Sequence, residues 1–207
     1  MSALPDDVRR KVLLAAFRMP SAQTMVSRKS SITNAFVGAI IPVVVPTHEE
    51  IEEVLAILEM EPDNVRCAFC GDISSEWDHL RPLVLKRRPT GYVSEIANLV
   101  PACGKCNQSK GNKPWRVWMA SKAKFSPTGR GLNGIPKRLA RLERFEKWKP
   151  PTQVDFASIV GTEEWEQYWL LCENVNEELR KAQQVADTLR TRIGDAIAKR
   201  QSGSLNC

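Results

Sequence analysis

Residues 67–113 read CAFCGDISSEWDHLRPLVLKRRPTGYVSEIANLVPACGKCNQSKGNK, and the short motifs at its two ends decide the fold. Cys67-Ala68-Phe69-Cys70 and Cys103-Gly104-Lys105-Cys106 each supply two thiolates from one tight turn. Two such turns complete a tetrahedral sulfur site closed to water, which is the arrangement of a structural zinc rather than a catalytic one. The chain has six cysteines. In a secreted chain they would suit a disulfide framework, but paired knuckles with no signal peptide expected ahead of them read as a metal site. The other two, Cys172 and Cys207, stand alone.

Between the knuckles lies the chemistry. Trp77-Asp78-His79-Leu80-Arg81-Pro82 precedes a turn at Pro89-Thr90-Gly91, and Ile96 to Val100, containing Asn98, follows it. The pattern reads as strand, loop, strand, and then a helix beginning near Gly104. The second knuckle continues as Asn107-Gln108-Ser109-Lys110-Gly111. Several separate elements in one order are far more specific than a single short motif.

These residues resemble the HNH, or ββα-metal, endonucleases in their Cys-x-x-Cys-bearing form, over about residues 66–115. The whole chain also resembles bacterial HNH restriction endonucleases. The resemblance implies that His79 is the general base, whose ordinary pKa near 6.5 suits work at neutral pH. It implies that Asp78, pointing away from His79, ligates a divalent cation with Asn107 as the second protein ligand. Asn98 would brace the loop carrying His79, and Lys110, one helical turn beyond Asn107, would meet the phosphate. Asn107 stands where the family often has His, and its hard oxygen suits Mg²⁺ (or Mn²⁺) better than a softer ion. Two metals are therefore expected: zinc on the thiolates, magnesium on the oxygens.

Charge agrees with a polyanion partner. Residues 1–80 carry 7 basic and 12 acidic side chains, residues 81–149 carry 17 and 3, and residues 150–207 carry 6 and 9. A basic middle between acidic flanks is the footprint of a nucleic-acid-binding module, here double-stranded DNA. Arg81, Lys86, Arg87, Arg88, Lys113 and Arg116 are expected to hold the phosphates flanking the scissile bond. Hydrophobic content of 43% and charged content of 26% are those of an ordinary globular chain. The longest apolar run, Ala35 to Val45, is too short to span a bilayer, so no membrane partner and a cytoplasmic location are expected.

Working outward, a helix is predicted on Val8, Val12, Leu13, Ala16 and Phe17, ended by Pro20. Residues 21–34, rich in Ser and Thr, read as a loop. Thr47 is an N-cap for a helix carrying Ile51, Val54, Leu55 and Leu58, with Glu49 and Glu50 in its first turn. His48 is expected at its surface. A basic helix is predicted from Pro136 to about Trp148, then a linker at Pro150-Pro151. From Trp165 through Tyr168, Cys172, Val175, Leu179, Ala182, Ala186, Leu189 and Ile193 to Ala196 the apolar steps are 3 and 4 without a break. Such a helix over 162–200 is about 58 Å long at 1.5 Å per residue. Its seam calls for a second helix, either in another copy of the chain or folded back from the N-terminal region. Cys172 on that seam reads as a buried structural thiol.

The expected class is α+β: a mainly helical region (1–62), a zinc-knuckle nuclease domain (63–120), a basic loop and helix (121–150), and a long C-terminal helix (151–207) suited to a homodimer. The expected activity is Mg²⁺-dependent hydrolysis of duplex DNA to 5′-phosphate and 3′-hydroxyl ends, in a type II-like restriction setting. A modification-dependent or homing or phage-type nuclease is the related alternative. A non-catalytic zinc module that binds nucleic acid is the alternative from another class.

Overall fold

The computed structural model describes residues 5–16 and 20–203; Phe17 and Cys207 lie outside the described residues. The α+β class holds, with eight α-helices and two small sheets among the described residues. The chain divides into two compact units, one running from Ser30 to Val175 and the other joining the segment before Ser30 to the segment after Val175.

The first unit holds all the strands. β1 (Glu76–His79) pairs antiparallel with β4 (Leu99–Ala102), setting Asp78 opposite Val100 and His79 opposite Leu99. Between them a smaller hairpin pairs β2 (Val84–Leu85) with β3 (Arg88–Pro89). The turn expected at Pro89-Thr90-Gly91 is therefore preceded by a tighter one at Lys86-Arg87, both with positive φ (49° and 65°). That conformation is uncommon for residues other than Gly, Asn or Asp, which is why composition gave no sign of it.

After β4 comes α4 (Gly104–Lys110), ended by Gly111 at φ 49°, ψ −129°, a geometry that side chains resist. The next helix, α5 (Trp115–Ala120), is separate. Beneath these, Phe69, Leu58, Leu80, Val100, Trp118, Met119, Leu142 and Phe145 form a core continuous with the four knuckle cysteines. Phe69 and Trp118 meet edge to face at 5.2 Å, a contact contributing about 0.5–1.5 kcal/mol beyond its area.

Helix α3 (His48–Ile57) begins as its sequence demands. Thr47 Oγ1 accepts the Glu50 N–H and Glu50 Oε2 accepts the Thr47 N–H, a complete capping box, and His48 is exposed. Helix α6 (Ile135–Trp148) carries the basic run, and its Leu142 and Phe145 are buried.

One expectation fails in part. Residues 21–25 are irregular as expected, but the rest of the stretch 21–34 is not a loop: a short 3-10 turn (Val26–Arg28) leads into α2 (Lys29–Ile40). Ser and Thr are weak helix formers, but Ile32, Phe36, Val37, Ile40 and Ile41 recur at helical spacing and pack against a second apolar cluster. Burial outweighs a propensity deficit of a few tenths of a kcal/mol per residue.

That second cluster contains the start of the long helix. A short helix, α7 (Phe156–Val160), follows the proline linker, and α8 then runs from Thr162 to Gly203. Trp169 and Cys172 are buried against Val37, Ile41, Val84 and Val93, and the Tyr168 hydroxyl donates to the Phe36 carbonyl at 2.8 Å. The opening turns of the predicted seam are thus covered within the chain's own first unit. In the second unit the covering stops: Val185, Leu189, Ile193 and Ile197 are half or more exposed, and Val12 and Leu13 of α1 (Asp6–Ala16) are exposed as well. Gln183 is the buried polar exception, its Oε1 accepting the Met25 N–H at 2.6 Å.

Candidate active site and zinc knuckle

The cysteine cluster is built by two turns facing each other. Gly71, at φ 81°, lets the first turn close, with its N–H on the Cys67 carbonyl at 2.8 Å and the Cys67 N–H on the Asp72 carbonyl at 2.8 Å. The sulfurs of Cys67, Cys70, Cys103 and Cys106 are all buried and lie within 4.8 Å of one another, with Cys70 and Cys103 only 3.6 Å apart. A tetrahedral zinc with 2.3 Å bonds needs sulfur–sulfur edges of roughly 3.8 Å, so the four residues fit that ion. Hydrogen bonds from Cys106 and Cys70 pull the Cys67 thiol down to about 4, and the same crowding holds Cys106 well above its ordinary value. Four sulfurs this close, buried together, form a donor set suited to a zinc ion.

The candidate active site uses the periods of strand and helix together. In β1, Glu76 and Asp78 project to one face and His79 to the other. On α4, Asn107 and Lys110 are one turn apart and so share a face. The two pairs meet as two rungs. Asn107 Nδ2 donates to Glu76 Oε2 at 2.6 Å, and Lys110 Nζ lies 3.1 and 3.0 Å from the two oxygens of Asp78. Gly104 makes the lower rung possible, since a Cβ there would come within 2.8 Å of Glu76 Oε1.

Lys110 differs from expectation. Its side chain is fully buried, and its ammonium also donates to the carbonyls of His79 (2.8 Å) and Gly111 (3.3 Å). It cannot reach a phosphate in solvent; it supplies the counter-charge of Asp78. Burial nonetheless raises the Asp78 carboxyl to about 6, with Lys110 opposing the rise, and burial also lowers the Lys110 amine. Asp78 Oδ2 accepts no hydrogen bond of acceptable geometry despite being buried. That oxygen, together with the Asn107 amide oxygen freed by the Nδ2 bond to Glu76, fits a hard divalent cation. The donor set is all oxygen, unlike the knuckle.

His79 sits across the strand from Asp78. Its Nε2 is 2.6 Å from Ser94 Oγ, which leaves Nδ1 as the nitrogen with no hydrogen bond among the described residues. Burial, and after it the nearby Lys110 charge, lowers its pKa to about 4, well under the ordinary value near 6.5, so the imidazole is neutral at physiological pH but a weaker base than a solvent-exposed histidine. Asp78, His79, Asn107 and Gln108 open onto one cleft of about 440 Å³, lined also by Asn34 and Gly38 of α2.

Asn98 is fully buried at the end of a 3-10 turn (Ile96–Asn98). Its Oδ1 accepts the Arg81 N–H at 2.8 Å and its Nδ2 donates to the Arg81 carbonyl at 3.0 Å. Both backbone groups of the loop after His79 are tied down by one side chain. Asn98→Ala would strand them, so the variant should lose about 2–4 kcal/mol of unfolding free energy. Chemical denaturation measures this; a loss under about 0.5 kcal/mol would mean the loop finds other partners.

The expected phosphate contacts divide. Arg81 pairs with Glu146 at 3.5 Å, and Arg116 pairs with both Glu143 and Glu146. Arg88 lies between Glu166 and Glu173 with its guanidinium 5.0 Å over the Trp169 ring. These three brace α6 and α8 against the nuclease unit rather than standing free for DNA. Lys86 and Arg87 at the hairpin tip and Lys113 after α4 are exposed. Sequence reasoning missed Glu76 and Ser94. Glu76 could have been found two residues before Asp78, on the same strand face; Ser94 has no such signal, because it reaches His79 through tertiary structure alone.

Residues 65–113 match the family model described as HNH endonuclease. A stretch of 97 residues is 32% identical to the CRISPR-associated endonuclease Cas9 of Corynebacterium diphtheriae, covering 45% of this chain and 8% of that protein. The chain thus spans under one tenth of the length of the curated relative it matches. No solved structure matches it.

Proposed function

We propose that this chain, with its HNH endonuclease domain at residues 65–113, is a metal-dependent endonuclease that hydrolyses duplex DNA to 5′-phosphate and 3′-hydroxyl ends. The observation that carries the reading is the placement of Asp78 and His79 on opposite faces of one strand end, both opening with Asn107 onto a single cleft. A divalent cation (Mg²⁺ or Mn²⁺) held by Asp78 and Asn107 would offset charge on the phosphate and on the leaving 3′ oxygen. His79 takes a proton through Nδ1 from the attacking water, whose oxygen forms the new bond to phosphorus as the bond to the 3′ oxygen breaks, and the leaving 3′ oxygen takes its proton from solvent water. Ser94 holds the ring through Nε2, Asn98 holds the loop, Glu76 orients Asn107, and Lys110 keeps Asp78 charged in its buried position.

We place the chemistry in the segment of residues 63–120, with residues 1–62 as an N-terminal mainly helical region and residues 121–150 as a basic loop and helix. Residues 151–207 would carry a homodimer contact. A single site cuts one strand, so two strands at one locus call for two copies about a two-fold axis. The exposed Val185, Leu189, Ile193 and Ile197 supply the stripe for the second copy. A type II-like restriction role suits such a dimer. No helix among the described residues is long and apolar enough to cross a membrane, and we assign the protein to the cytoplasm.

The test is digestion of modified and unmodified plasmid, with the ends sequenced and religated. Ligatable 5′-phosphate ends from unmodified plasmid are expected; cleavage of modified plasmid alone would replace the restriction reading with a modification-dependent one. In the same assay Leu179→Glu/Leu189→Glu should convert linear product into accumulating nicked circles, and light scattering should fall from twice 23.3 kDa to 23.3 kDa. A wild type already monomeric on DNA contradicts the dimer.

A further inference from the structure

A second cleft, about 910 Å³, lies on the other side of α4, lined by Ile73, Gly104, Lys105, Gln108, Lys124 and Phe125 among others. Gln108, an exposed side chain, also lines the catalytic cleft, so the two clefts lie on either side of one residue. The walls are unusual for a surface this basic. Ile73 is 73% exposed and Phe125 40% exposed.

Phe125 is not a loose loop residue. Its neighbour Ser126 is fully buried, with Oγ donating toward the Ser121 carbonyl (2.6 Å) and the Ala123 carbonyl (2.9 Å) and accepting the Gly129 N–H (3.0 Å). The ring is therefore displayed outward from a fixed turn. Lys124 lies 5.3 Å from its centroid. Among the described residues, neither Lys105 nor Lys124 makes an ion pair, unlike Arg81, Arg88 and Arg116. The one carboxylate in the lining, Asp72, is neutralised by Arg130 at 3.0 Å.

We propose that this cleft binds an unpaired nucleotide next to the scissile phosphate, its base stacked on Phe125 against Ile73 and its phosphates on Lys105 and Lys124. The inference rests on the nuclease reading and adds a substrate preference to it. Unpaired cations beside an exposed aromatic face are the parts that hold single-stranded nucleic acid, where a π-face receives any base. A duplex alone would offer no base to the ring or to Ile73, because paired bases are already stacked. A volume of this size admits a base and its sugar.

The experiment measures affinity in Mg²⁺-free buffer for a fully paired duplex and for the same duplex carrying a three-nucleotide gap. Wild type should prefer the gapped form by about tenfold or more. Phe125→Ala, and also Phe125→Leu, which keeps the apolar bulk without the ring, should abolish the preference while leaving duplex affinity within about twofold. Lys105→Ala/Lys124→Ala should weaken binding and lower the salt slope by roughly 1.5, as loss of two single-strand phosphate contacts requires. A wild type with no preference, or a preference that survives both Phe125 variants, overturns the proposal. Failure of the nuclease reading looks different: wild type would then cut neither DNA when Mg²⁺ is restored, whatever its binding preference.

Discussion

His79→Ala should fold, retain zinc and bind DNA, yet cut it roughly one hundred to ten thousand times more slowly, the range that a positioned general base contributes. Burial and the neighbouring Lys110 hold the imidazole neutral by lowering its pKa to about 4, so nearly every wild-type molecule at pH 7 carries it unprotonated. Ser94 engages only Nε2, and removing the ring leaves the Glu76–Asn107 and Asp78–Lys110 rungs intact. The effect should therefore appear in turnover under saturating DNA and not in affinity. Single-turnover cleavage with a parallel binding assay separates the two. A variant that cuts at near the wild-type rate shows that another group takes the proton.

Cys103→Ser should have the largest effect on the fold. The four cysteines belong to the same buried core as Phe69, Leu80, Trp118 and Phe145, so a zinc held by them would be tied to the packing. Structural zinc contributes about 10–16 kcal/mol in small zinc-binding peptides, and a hydroxyl is a poor replacement for a thiolate. Metal analysis should find zinc reduced well below one per chain, with the melting temperature down by more than about 10 °C. Asn107→Ala is the contrast. Its side chain meets Glu76 at the rim of the cleft, so zinc content and melting temperature should stay near wild type while divalent-cation-dependent cutting is lost. Active protein without zinc, or Asn107→Ala that melts as early as Cys103→Ser, would dissolve the division between the two metal sites.

The parts of this molecule legible in its sequence are those set by local spacing. Two Cys-x-x-Cys turns meet as one cluster, the Thr47 and Glu50 pair closes a capping box, and the 3 and 4 steps after Trp165 do form one helix. What was not legible depends on partners distant along the chain. Helix α2 is stabilised by Val84, Val93 and Trp169, far along the chain, while its own serines and threonines are weak helix formers. Lys110 reads as a surface cation because lysine almost always is one; only the fold supplies Asp78 and two carbonyls to a buried ammonium. Arg81, Arg88 and Arg116 likewise look free until Glu146, Glu166 and Glu173 are brought to them. Ser94 is fifteen residues from His79 and reaches it only because the hairpin between them folds back.

The measurement closest to the central claim is a time course on supercoiled plasmid with zinc-replete protein, run with Mg²⁺ and with a chelator too weak to remove the zinc. Cleavage should require Mg²⁺ or Mn²⁺, should stop when the cation is withdrawn with zinc still at one per chain, and should resume when it is restored. Zinc-loaded, DNA-bound protein that leaves plasmid uncut at every Mg²⁺ and Mn²⁺ concentration would contradict the account and leave a zinc-stabilised DNA-binding module in its place.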